Sequence, residues 1–177
     1  LIFYYIKTIH ADFFLISNPD IRITDPKFVD TLCQQNTFSG SPVAMIAPTI
    51  HTTLSNVNQN PYMTNRPSCR KMSFQKLVFS LYPIATAYQL LAYLKVIFKR
   101  RKYYKDNDEL LPDREKTIYA GHGSFIILTR NYFTHGGNLR YGAFLFGEEL
   151  FLAETIRSLG MNVLYVPHLK VQHDEHK

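Results

Sequence analysis

The chain has 177 residues, 46% of them hydrophobic and 14% aromatic, and a formal net charge of +6. This composition excludes a disordered polymer and leaves room for one well-packed domain. The basic excess suits an anionic partner, such as a nucleotide, a nucleic acid or an acidic membrane surface, without choosing among them.

Two cysteines, Cys33 and Cys69, form no metal or redox spacing and read as reduced thiols in a cytosolic setting. The first residue is Leu1, and no basic segment with a cleavage site precedes the apolar start. The expectation is an N-terminus cut from a longer protein, with no signal peptide in view.

In chain order, residues 1–11 read as the tail of a helix with Ile2, Ile6 and Ile9 on one side. Asp12 to Ser17 is a nearly continuous apolar run, as in a strand covered on both faces. Asn18-Pro19-Asp20 breaks it. A helix then runs from Asp25, as N-cap, and Pro26, at the first helical position, to about Gln34. Val43 to Ala47 is a second buried-type strand, which Pro48 should end. Strand, helix, strand is the unit of a parallel α/β sheet.

Residues 51–72 are polar and turn-rich, a loop long enough to be functional or disordered. Residues 73–98 read as helical. No charged side chain falls between Leu77 and Leu94, and Lys99-Arg100-Arg101-Lys102 follow. Pro83 favours a broken helical hairpin over a membrane span, and the basic cluster also suits an interfacial membrane contact. Tyr103 and Tyr104 interleave with the basic residues, a weak signal for nucleic acid. Residues 103–116 form a charged linker.

Thr117 to Thr129 returns to strand, with Gly121 and Gly123 on either side of His122. A short helical turn follows at Asn131–Phe133, and Gly136-Gly137 opens a loop. Glu148 and Glu149 then begin a helix whose apolar face carries Leu152, Ile156 and Leu159. Gly160 should stop that helix, and Asn162 to Val166 should form a strand ended by Pro167.

Four places could carry chemistry. Asp20 lies just past a strand end, where open α/β sheets bind ligands and a carboxylate can hold Mg²⁺. Asn-Pro-Asp is also simply a good turn. The Gly121-His122-Gly123 run allows close approach of a ligand or of backbone. Glu148 and Glu149 offer a general base, or merely complement the helix dipole. His173 opens His173-Asp174-Glu175-His176, whose spacing matches no common zinc motif.

Taken together, these pieces resemble the inverting glycosyltransferases of family 2, of GT-A fold. The nearest variety is the rhamnosyltransferase-like group that builds bacterial capsular and O-antigen polysaccharides. Residues 16–23, ISNPDIRI, resemble the family's version of the Asp-x-Asp metal motif, with Asn18 in the first acidic place and Asp20 in the metal-binding last one. GHGSFIILTRNYF at 121–133 resembles the strand that lines the acceptor side. The segment from Phe144 to His173 resembles the family's closing signature, in which Gly160 and Pro167 keep register with the acidic pair. The family's Glu-Asp pair is Glu-Glu here, so its base maps to Glu149.

The resemblance implies a mostly parallel sheet flanked by helices, lacking its first β-α-β unit and carrying a helical insert at 73–105. It implies Mg²⁺ or Mn²⁺ on Asp20, with His173 as a second ligand. Glu149 would act as base with Glu148 in support, and Asn18, Gly121, His122 and Gly123 would line the donor and acceptor sites. The activity implied is transfer of a sugar from a nucleotide-diphosphate donor to a glycan or lipid-linked acceptor, in the cytoplasm or at the inner face of the cell membrane. The rival reading is a non-enzymatic module that binds a membrane surface or nucleic acid through residues 77–105.

Overall fold

The computed structural model describes residues 10–34, 42–55, 57–80, 83–84, 86–91, 93, 114–142 and 147–174. The expectations for the helix tail at 1–9, the basic cluster at 99–102 and the linker up to 113 lie outside these residues. Two compact units emerge: Leu1–Asn65 with Asp113–Lys177, and Arg66–Pro112.

The first unit holds a six-stranded sheet in the order β1-β5-β3-β6-β2, with β4 pairing β6. The strands are β1 (Phe13–Ser17), β2 (Ile21–Arg22), β3 (Val43–Thr52), β4 (Lys116–Ile118), β5 (Phe125–Thr129) and β6 (Asn162–His173). Only β3 and β6 pair in parallel, while β1·β5, β3·β5, β2·β6 and β4·β6 are antiparallel. The expected mostly parallel, helix-flanked sheet of a GT-A fold is therefore corrected: the sheet is mixed and the helices are few.

The reason lies in β5, which slots between β1 and β3. Its five residues are all buried, and such a run reads the same whether its neighbours are parallel or antiparallel. It also leaves β1 at the edge of the sheet, where Leu15 and Ile16 are exposed, so this strand is not covered on both faces as its apolar run suggests.

Side chains alternate between two core clusters, as a pleated sheet requires. Met45, Ala47, Ile126, Leu128, Val163 and Tyr165 enter one cluster. Ile46, Ile50, Phe125, Ile127, Val166 and Val171 enter the other. Helix α1 (Phe28–Gln34) adds Phe28 and Leu32 to the second cluster. Its start is fixed by Asp25, whose Oδ1 accepts the Lys27 N–H at 2.8 Å.

In the second unit, helix α2 (Cys69–Ser80) starts earlier than the apolar run suggests. No helix of the described residues is long and apolar enough to cross a membrane.

Helices α3 (Arg130–Thr134) and α4 (Glu148–Ser158) belong to the first unit. Tyr132 from α3 and Leu152 and Ile156 from α4 enter the first cluster. Each fully buried apolar side chain of this kind contributes about 1.5–3 kcal/mol. Burial raises the Tyr132 phenol above its usual range, and its hydroxyl donates to the Asn138 carbonyl at 2.6 Å. Gly160 takes the left-handed conformation, φ 68°, that ends α4, and the Met161 N–H then bonds the Ile156 carbonyl at 3.1 Å.

Two prolines behave unlike their sequence reading. β3 continues through Pro48 to Thr52, and β6 continues through Pro167 to His173. The ladder slips where they meet: Pro48 pairs with Val166, but Thr49 pairs with Lys170. A bulge tolerates a residue without a ladder donor. Thr49 ties the irregularity down, its Oγ1 lying 2.9 Å from the Tyr165 hydroxyl and donating to the Pro167 carbonyl at 3.0 Å. This continuation carries β6 on to His173, opposite Thr52.

Candidate functional site

Strands β1, β3 and β6 run in the same direction, so their carboxyl ends share one edge of the sheet. Just beyond β1, the Asn18 N–H donates to the Ser124 carbonyl at 2.9 Å, which pins the turn to the start of β5. That turn presents Asp20. From the end of β6, His173 Nε2 lies 3.2 Å from Asp20 Oδ2, and the two side chains are only 12% and 24% exposed. The Asp174 N–H donates to the Asp20 carbonyl at 2.9 Å, closing the turn on β6.

Asp20 Oδ1 is buried and has no hydrogen-bond partner. Leaving such an acceptor unsatisfied costs about 1–3 kcal/mol, more for a charged group. The carboxylate oxygen suits Mg²⁺ or Mn²⁺, and of the two it is the transition metal Mn²⁺ that accepts an added imidazole nitrogen more readily. Among the described residues no group of three or more His, Cys, Asp or Glu side chains gathers. A cation here would thus have two protein ligands, and substrate phosphates commonly complete such a shell. The residues present fit the ion.

The second half of the site forms around His122. Oε1 of Glu149, in the first turn of α4, accepts the Gly123 N–H at 3.3 Å. A Cβ at Gly123 would lie 2.8 Å from that same oxygen, so the carboxylate keeps this place only beside a glycine. Gly147 takes φ 96° at the N-cap of α4, a conformation open to glycine at little strain. Glu149 is half-buried, whereas Glu148 is exposed.

His122 Nδ1 accepts the Ser124 N–H at 3.2 Å and lies 2.9 Å from Ser124 Oγ. Its proton therefore sits on Nε2 when the ring is neutral. Burial lowers the imidazole below its usual 6.5; Glu149 pulls upward, His173 adds to the lowering, and Glu148 pulls weakly upward. The ring also stands edge-on to Tyr62, with centroids 5.7 Å apart.

The two halves are joined by the loop after β3. His173 Nδ1 donates to Gln59 Oε1 at 2.9 Å, and Ser124 Oγ lies 3.5 Å from the same oxygen. Next to it, Asn60 is buried, its Oδ1 accepting the His122 N–H at 2.8 Å and its Nδ2 donating to the Pro48 carbonyl at 2.8 Å. Asn58 holds the loop to β3, its Oδ1 accepting the Ile50 N–H at 3.0 Å.

Of the sequence candidates, the structure brings Asp20 to His173 and His122 with Gly123 to Glu149. Asn18 contributes its backbone, and its side chain is exposed. Gly121 is packed: a Cβ there would meet Met45 Cε at 2.6 Å and Ala47 Cβ at 3.1 Å, so it serves the core. Gln59, Asn60 and Ser124 are absent from those candidates. The length of the polar loop flags its importance, but nothing in its residue types says which amide turns inward. A separate open groove of about 410 Å³, lined by Thr24, His51, Thr52, Thr53, Lys170, Val171 and Gln172, contains none of these site residues.

Comparison with protein-family models, curated proteins and solved structures finds no match to this chain.

Proposed function

We propose that the chain transfers a sugar from a nucleotide-diphosphate donor to a hydroxyl of a glycan or lipid-linked acceptor, with inversion, in surface polysaccharide biosynthesis. The observation that carries this reading is Asp20, with one carboxylate oxygen buried and unpartnered and the other 3.2 Å from His173 Nε2. The reading rests on the site, since a fold by itself implies no activity.

Asp20 and His173 would hold Mg²⁺ or Mn²⁺, which when bound supplies positive charge against a leaving diphosphate. Glu149 accepts the proton of the acceptor hydroxyl as that oxygen forms its bond to the anomeric carbon. The bond from that carbon to the diphosphate oxygen breaks, and its electron pair leaves with the diphosphate. Gly123 N–H holds Oε1 of Glu149, leaving Oε2 to take the proton. A hydrolase of glycosides needs a second carboxyl as acid, whereas a diphosphate leaves unprotonated, so one base is enough.

The test is release of nucleoside diphosphate from a panel of nucleotide sugars, with acceptor glycan or lipid-linked glycan and Mn²⁺. Acceptor-dependent release is expected, and its absence across the panel would overturn the reading.

A membrane-surface contact is favoured by the second unit, where Phe74, Leu77, Leu90 and Leu91 are 57–66% exposed. Large exposed apolar side chains that precede a basic segment in the sequence suit an interfacial contact, which would bring the enzyme to a lipid-linked acceptor. Flotation with anionic vesicles is expected, and neutralising Lys99, Arg100, Arg101 and Lys102 together should reduce it severalfold. Equal flotation of both proteins would exclude a role for those charges.

A further inference from the structure

We propose that Gln59 is a positioning residue of this centre, aiming His173 at the cation. The inference rests on the proposed cation site at Asp20 and His173.

Chemistry fixes the orientation. A carboxamide oxygen only accepts, so the 2.9 Å contact puts a proton on His173 Nδ1. The other nitrogen, Nε2, is the one that faces Asp20. With Nδ1 donating to Gln59, Nε2 is the nitrogen left beside Asp20, where both can reach one cation. Histidines that bind metal usually donate their other N–H to an oxygen in this way.

Its backbone suits a fixed post. The Gln59 N–H donates to the Ile50 carbonyl at 2.9 Å, and the amides of Asn58 and Asn60 on either side are anchored to β3 at Ile50 and Pro48. A change at Gln59 should therefore alter the side-chain link and leave the loop in place.

The test compares Mn²⁺ binding by the wild type, Gln59→Leu, Gln59→Glu and, as a control on the cation site itself, Asp20→Asn. Gln59→Leu should bind Mn²⁺ about 10- to 100-fold more weakly. Gln59→Glu, which keeps an oxygen acceptor, should restore binding, a rescue that a merely structural role would not give. Wild-type affinity in Gln59→Leu, or equal weakness in Leu and Glu variants, would overturn the proposal. If the wild type binds no Mn²⁺, the cation reading fails, and the hydrogen bond is read from metal-free protein by ¹⁵N-resolved imidazole spectra. A His173 Nδ1 proton protected in the wild type and exchanging in Gln59→Leu supports positioning by Gln59, and identical spectra overturn it.

Discussion

Glu149→Gln should reduce sugar transfer by about 10²- to 10⁴-fold while leaving donor affinity close to wild type, because a positioned general base contributes on that scale. Glutamine has the same shape, and its carbonyl oxygen can still accept the Gly123 N–H that Glu149 Oε1 accepts at 3.3 Å. Only the capacity to take a proton is lost. Glu148 is exposed at the same helix terminus, and its replacement should leave turnover within a few-fold. Gly123→Ala supplies a complementary arm: its Cβ would meet Glu149 Oε1 at 2.8 Å, the far end of a flexible side chain. The fold should survive, but the carboxylate must move, and turnover should fall although the base is still present. Steady-state kinetics, with donor binding measured separately, checks all three. Full turnover in Glu149→Gln would remove the base from the proposed mechanism.

Much of the local structure was legible in the residues, and the way the pieces join was not. Asp25 and Gly160 mark helix ends through chemistry that acts within a few residues, and both do so in the structure. Pairing direction is a non-local property. Ile126 and Leu128 face one cluster and Phe125 and Ile127 the other, and nothing in that alternation says that β5 lies antiparallel between β1 and β3. Pro48 and Pro167 mislead for a related reason: each is a breaker alone, but they occur together at one slip in the ladder, which accommodates both.

The site divides along the same line. Asp20 and Glu149 could be singled out because a carboxylate past a strand end or at a helix start has a local rationale. Separating Glu149 from Glu148 by exposure needed the position of Gly123, 26 residues earlier in the chain. Gln59 was least visible of all. Its importance depends on His173, 114 residues away, and a glutamine in a polar loop carries no local mark.

Asp20→Asn should abolish both turnover and the stabilisation of the protein by Mn²⁺. A ligand that binds only the folded state stabilises it by about 2.7 kcal/mol at a hundred times its Kd. For a chain of this size that corresponds to a rise in Tm of roughly 5–10 °C. The wild type should show this rise on titration with Mn²⁺ and lose it with a chelator, whereas Asp20→Asn should show none. The competing account makes Asp20 and His173 a plain ion pair, closed at 3.2 Å, with no ion between them. Under that account the variant would lower Tm in metal-free buffer, and Mn²⁺ would move neither protein. The two accounts also differ over the buried Oδ1, which an ion pair through Oδ2 leaves unpartnered. Asparagine keeps an oxygen acceptor but discards the charge that a divalent cation requires. A metal-free Tm near wild type together with loss of the Mn²⁺-dependent rise would therefore assign the carboxylate to the cation rather than to the fold.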